Sequence, residues 1–246
     1  MDVNMHIEQY GSGRKVLFIH GSGVHSEIWR GQKQCLQASM EVVLVDLPGH
    51  GKSPGDGCDR VERYGDAVYE AIAGLNPDRC YVAGHSLGGA IAMSLALFHP
   101  GAVKGLILIG TGAKLRVLPS ILDGLLKEKE RTIADINSLS FSQGTSATTK
   151  EEAFKMMMSC RAEAIYKDLS ACDRFDIRNS VDSIRMPTLI LCGEDDVLTP
   201  VRYSRFLKDK IAGSELALVK AAGHMAMLEK PDEVNKAIET FLKDHP

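Results

Sequence analysis

The stretch that decides the fold runs from residue 80 to residue 101, CYVAGHSLGGAIAMSLALFHPG. Residues 80–83 are apolar and β-favouring and read as a strand. Residues 86–98 are almost wholly apolar and read as a helix, stopped by His99-Pro100-Gly101. At the junction, Gly84-His85-Ser86-Leu87-Gly88 fits the pattern G-x-S-x-G in the strand-to-helix context that the pattern requires. Small residues two positions to either side of Ser86 leave room for a strained backbone that lifts the hydroxyl above the sheet. The helix that starts there aims unpaired N–H groups at charge developing beside the serine, and the N–H of Leu87 is the best placed.

Outward from this junction the chain alternates strands and helices. Residues 3–10 alternate apolar and polar side chains and lead through Gly11-Ser12-Gly13 into the apolar run 16–20, which predicts a hairpin feeding a buried strand. Residues 41–46 and 103–109 read as further strands. Val61, Tyr64, Val68, Ala71, Ile72 and Leu75 have helical spacing, with Asn76-Pro77 as the stop. Such alternation predicts a parallel sheet with helices on both faces. After residue 112 the β-branched runs disappear. Two helix-forming segments, LLKEKERTIADI and KEEAFKMMMSCRAEAIYKDL, flank a Ser/Thr-rich stretch at 138–149. Sheet-like sequence resumes with a strand at 188–192, a helix at 201–209, a strand at 215–219 and an amphipathic helix at 231–241 opened by Pro231. The expected organisation is a core of 1–113 and 184–246 carrying a helical lid at 114–183.

A serine is a weak nucleophile until a base, itself held by an acid, takes its proton. Glu194-Asp195-Asp196 lie just past a predicted strand, and Ala222-Gly223-His224 fall in a loop after the next one. The order serine, carboxylate, histidine differs from that of the chymotrypsin and subtilisin types. With HGSG at 20–23, DLPGHGKS at 46–53, GHSLGG at 84–89, GEDDVLTP at 193–200 and GHMAMLEKP at 223–231, the chain resembles the α/β-hydrolase superfamily over essentially its whole length. The resemblance implies Ser86 as nucleophile, His224 as base and Asp196 as acid, with Asp195 a rival because spacing fixes the loop and not which carboxylate turns inward. It also implies that the second oxyanion N–H belongs to Ser22, with Leu87 supplying the first and Gly23 keeping the backbone open. Gly23 itself, and His25 and Trp29, which follow that loop, are candidate substrate contacts; so are Met157 and Met158 of the insertion, as adaptable apolar side chains, and Met225 beside His224. His20 and His85 are expected to order loops by hydrogen bonds.

A serine nucleophile argues against dehalogenase and epoxide hydrolase chemistry. The expected activity is hydrolysis of carboxylic esters with small or medium acyl groups through an acyl-enzyme. Lactone, thioester or C–C bond hydrolysis on the same fold remains open, as does a ligand receptor with a slow vestigial triad.

The rest of the composition narrows the partners. The 246 residues carry 29 Lys+Arg against 32 Asp+Glu, a net charge of −3, with no basic run for tracking phosphates, so neither nucleic acid nor an anionic membrane is expected as a partner. The most apolar run is too short to cross a bilayer, and the N-terminus lacks the pattern of a secretory signal. The six cysteines are scattered without a CxxC pair and read as reduced thiols of a cytoplasmic protein. No metal-ligand spacing is present, and no cofactor is expected. Gly51-Lys52-Ser53 matches the end of a phosphate-binding loop, but Asp46 stands where its first glycine must be, which argues against nucleotide binding. Oligomeric state is not legible.

Overall fold

The computed structural model describes residues 5–73 and 79–246. Its centre is a seven-stranded sheet in the order β1-β3-β2-β4-β5-β6-β7. The strands are β1 (Ile7–Tyr10), β2 (Arg14–Ile19), β3 (Met40–Val45), β4 (Cys80–His85), β5 (Val103–Ile109), β6 (Thr188–Gly193) and β7 (Glu215–Val219). All neighbours run parallel except β1, which lies antiparallel to β3 with Ile7 opposite Val45. The expected hairpin is therefore corrected. β1 and β2 are consecutive but do not pair, because β3 inserts between them. β2 is buried on both faces along Val16–Ile19 and so needs a parallel neighbour on each side, which β3 and β4 supply.

The helices are α1 (Arg30–Leu36), α2 (Val61–Ala73), α3 (Leu87–Phe98), α4 (Pro119–Lys127), α5 (Lys129–Leu139), α6 (Ala147–Ser159), α7 (Ala162–Arg174), α8 (Val201–Lys210), α9 (Ala226–Glu229) and α10 (Pro231–Asp244). Val3 and the expected end of α2 at Leu75 and Asn76-Pro77 lie outside the described residues. Alternate strand residues feed two cores. Leu17 and Ile19 of β2 pack with Val61 and Val68 of α2, Ile91 of α3 and Leu207 of α8. Val16 and Phe18 pack on the other face with Leu36 of α1 and with Val234, Ile238 and Phe241 of α10. Each such aliphatic or aromatic side chain contributes about 1.5–3 kcal/mol on burial.

Between β5 and β6 the two expected helical segments are each broken once. Glu128, with φ −140°, separates α4 from α5. Cys160 and Arg161, both extended, separate α6 from α7. The breaks let four short helices wrap the carboxyl edge of the sheet where two long rods could not. Among the described residues no helix is long and apolar enough to cross a membrane.

One backbone contact places α3. A Cβ on Gly84 would fall 2.1 Å from the Gly88 carbonyl oxygen, and one on Gly88 would fall 2.2 Å from that of Ile19. No side chain fits in either gap. Gly88→Ala is expected to cost more than about 4 kcal/mol or to prevent soluble folding, whereas Gly144→Ala, with nothing within 4 Å, should stay within about 0.5 kcal/mol of the parent. Urea unfolding of the two variants checks this; equal stabilities would show that the elbow relaxes freely.

Candidate active site

In the strand order, the chain leaves β2 toward β3 on one side and leaves β4 toward β5 on the other. A crevice opens where successive connections diverge in this way, outside the carboxyl ends of the strands. The loop after β2 carries Ser22, the turn after β4 carries Ser86, the loop after β6 carries Asp196, and the loop after β7 carries His224. Topology alone thus brings four segments distant in sequence to one edge.

Ser86 has φ 52° and ψ −113°, a conformation that costs a non-glycine residue about 1–3 kcal/mol. Its surroundings hold it there. Its N–H donates to the Ile109 carbonyl at 3.0 Å. Its own carbonyl accepts from the N–H groups of Gly89 and Ala90 and from the Thr111 hydroxyl at 2.8 Å.

His224 Nδ1 lies 2.9 Å from Asp196 Oδ2. Asp196 is buried, while its neighbour Asp195 is exposed. The loop turns on Asp196 itself: Oδ1 accepts the N–H groups of Leu198 and Thr199 at 2.9 and 2.8 Å, and Oδ2 accepts the Thr199 hydroxyl at 2.7 Å. Burial alone would raise this carboxyl's pKa, but the adjoining His224 and the bonds from Thr199 outweigh it and hold the group well below its ordinary 3.8. Thr199 was missed in the sequence, although an Asp that binds the N–H groups two and three residues on is a recognisable turn. Among the described residues no hydrogen bond joins Ser86 Oγ to His224; both side chains line one cavity. Such bonds commonly tighten only with substrate in place.

Two further histidines order the loops. His20 Nε2 accepts the Leu47 N–H at 2.9 Å, so its proton sits on Nδ1, which donates to the Gly21 carbonyl at 2.8 Å. That carbonyl belongs to the peptide whose N–H is Ser22's. Burial, with His50 nearby, pulls His20 down to about 4, so the ring stays neutral and keeps this tautomer. His85 packs its ring 4.6 Å from that of His224 and donates from Nε2 to the His224 carbonyl at 3.0 Å. Burial first, and His224 second, push its pKa well below 6.5. A Cβ on Gly21 would fall 2.7 Å from His85 Nδ1, so any side chain there would push the His85 ring aside. Glu229 ties the His224 loop to the segment before α6: Oε1 accepts Gly223 N–H at 2.7 Å and Oε2 accepts Ser142 N–H at 2.9 Å.

The cavity encloses about 210 Å³. Apart from Ser22, Ser86, Thr199 and the histidines, its wall is chiefly aliphatic, with Val24, Ile121, Ile136, Leu139 and Ile165 prominent, and Arg116 brings a charge to it. Met157 and Met225 line it. The other four expected contacts do not, and the expectation of substrate contact is corrected for each. Trp29 is fully buried with its ring 5.1 Å from that of Phe18. His25 lines a separate polar hollow with Glu27 and Arg161. Met158 is half-buried against the edge of a core cluster, and Gly23 is covered by Met157 and Ile165, which a Cβ would meet at 3.3 and 3.4 Å. The Leu87 N–H heads α3 beside Ser86.

The depressed pKa of Asp196 carries a stability signature. A carboxyl lowered on folding contributes stability that is complete above its unfolded value and drains away as pH falls. Asp196→Asn removes that contribution. Its melting temperature is expected to fall less steeply than the parent's between about pH 5 and pH 2, followed by circular dichroism. Parallel acid limbs would mean that Asp196 is not held as a charged group.

Comparison with known proteins agrees with this architecture. The family model described as the alpha/beta hydrolase family matches residues 16–237. A pimeloyl-[acyl-carrier protein] methyl ester esterase of Nitrosospira multiformis is 29% identical, over 98% of this chain and 99% of its own. A solved structure described as a thermophilic esterase is 37% identical with a TM-score of 0.87, covering 99% of this chain and 96% of that one. Another, Est816, described as an N-acyl homoserine lactone degrading enzyme, is 27% identical with a TM-score of 0.86 and 97% coverage of both chains. With its elbow, its sheet order and a family match over most of its length, the chain belongs to the α/β hydrolase family.

Proposed function

We propose that this protein hydrolyses carboxylic esters of small or medium acyl groups through an acyl-enzyme on Ser86. The observation that carries the reading is the meeting, in one apolar cavity, of a serine held in a strained elbow and a histidine paired with a buried carboxylate. In this mechanism Ser86 Oγ attacks the acyl carbon as His224 Nε2 takes its proton. Asp196 holds Nδ1–H and stabilises the cation that forms. The N–H groups of Ser22 and Leu87 receive the oxyanion. His224 then protonates the leaving alcohol, and water, activated by the same imidazole, releases the acid.

The named esterases among the relatives support ester chemistry, and the homoserine lactone enzyme makes a lactone a natural second substrate to assay. A cavity of about 210 Å³ suits a short acyl chain better than the drug-sized ligands of ~300–1,000 Å³ pockets. In this reading the helices of 114–183 act as a lid that supplies the acyl wall. All six thiols are free, which supports the cytoplasm as the place of work.

A series of p-nitrophenyl esters from acetate to decanoate, with an acyl homoserine lactone alongside, tests the reading. Turnover near the ~1–10³ s⁻¹ of ordinary enzymes is expected on the shorter esters. Ser86→Ala should lose at least about 10⁴ in kcat, and a fluorophosphonate should label Ser86 alone, as read by mass spectrometry. Full activity in Ser86→Ala would end the proposal.

The acyl wall has its own test. Met157→Trp should move the preference toward shorter esters, while Met158→Trp, which lies off the cavity, should leave it unchanged. An unaltered chain-length profile in a stably folded Met157→Trp would remove Met157 from that wall.

A further inference from the structure

Asp168, in the middle of α7, is fully buried and nothing in the mechanism uses it. Its carboxylate makes three contacts, all with segments far away in sequence. Oδ2 accepts the Gly23 N–H at 3.1 Å and lies 2.9 Å from His50 Nε2, and Oδ1 accepts the Tyr64 hydroxyl. Burial would raise the carboxyl's pKa, but His50 outweighs it and lowers it; the same carboxylate raises His50 against its own burial. Each group therefore favours the charged form of the other, and a buried pair of this kind contributes little net stability once its desolvation is counted. Its position is more telling than its energy.

The oxyanion loop contains two successive peptide planes around Ser22. The first, between Gly21 and Ser22, is fixed by His20 Nδ1 on its carbonyl. The second, between Ser22 and Gly23, is fixed by Asp168 on its N–H. With both planes held, φ and ψ of Ser22 are held too, and so is the direction of the Ser22 N–H. The first clamp comes from the sheet core and the second from the helical insertion. Gly23, at φ +68°, has no side chain to interfere, and Met157 and Ile165 close over it. Asp168 also takes up the Gly23 N–H, so that group is already spent as a donor, while Ser22 lines the cavity.

We propose that Asp168 is a positioning residue that holds the Ser22–Gly23 peptide, so that the oxyanion donor is aligned only while α7 is docked on the core. The proposal rests on the esterase reading above. It predicts a loss in the chemical step with substrate binding spared, because a misdirected donor matters most where charge develops.

The test compares Asp168→Ala and Asp168→Asn in steady-state hydrolysis of p-nitrophenyl butyrate, with fluorophosphonate inactivation rates and melting curves on the same samples. Asp168→Ala should lower kcat by about 10–100-fold while KM stays within about threefold, and inactivation should slow in step. Asp168→Asn should stay within about threefold of the parent, since its amide oxygen can still accept the Gly23 N–H while its NH₂ turns to the Tyr64 hydroxyl. Should Asp168→Ala not fold, Asp168→Ser, whose side chain is too short for the contact, is read by the same criteria. Unchanged kcat in a folded alanine or serine variant, or a rise in KM alone, overturns the role. Ser86→Ala assayed alongside separates the two readings. An active Ser86→Ala ends the esterase assignment, whereas an inactive one beside a parent-like Asp168→Ala ends only the role of Asp168.

Discussion

The whole site hangs on a contact made without side chains. The first turn of α3 lies against the carboxyl ends of β2 and β4 so closely that a methyl group on Gly84 or Gly88 would overlap a carbonyl oxygen. That approach puts the helix N-terminus directly over the point where the sheet connections diverge, and it forces Ser86 into a conformation that its neighbours must then secure. Once Ser86 is there, every other polar group has only to reach one edge of the sheet. Parallel strands deliver the loops after β2, β6 and β7 to that same edge, because their carboxyl ends all point one way.

Electrostatics around this edge follow from burial. Three imidazoles, His20, His85 and His50, sit in the interior near the loops of the candidate site, and they divide by partner. His20 and His85 bind backbone carbonyls and lack a carboxylate of their own, so desolvation keeps both neutral and each serves as a fixed-tautomer brace. His50 faces Asp168, whose carboxylate raises its pKa against the effect of burial. The same chemistry distinguishes Asp196, which collects a ring nitrogen, a hydroxyl and two backbone N–H groups, from Asp195, which faces water one residue earlier.

What could be read from the sequence was what depends on neighbours along the chain. The elbow is a pentapeptide pattern whose glycines have a local steric cause, and the strands and helices of the core follow side-chain period. The pairing of β1 could not be read so, because the partner of Ile7 is Val45 and the burial of β2 on both faces decides it. Trp29 illustrates the opposite error: nearness in sequence to Ser22 suggests the cavity, yet the ring turns back onto Phe18. The cavity wall comes from α4 to α7 and from loops, residues whose convergence has no periodic signature. Asp168 was invisible for the same reason, with Gly23 145 positions away and Tyr64 104.

Asp168 and Glu229 pin the helical insertion from opposite sides, one to the loop after β2 and the other to the loop bearing His224. Both carboxylates bridge the insertion and the core, and a lifted insertion would leave the buried pair of Asp168 and His50 half satisfied. Opening of the insertion is therefore expected to break both sets of contacts at once, unlike the low-stability opening common in mobile flaps. Amides of α7 should share the slow hydrogen exchange of the central strands. Leu118 and Leu139 line the cavity and are themselves exposed, so its wall meets solvent through apolar side chains, which change rotamer faster than any helix can move.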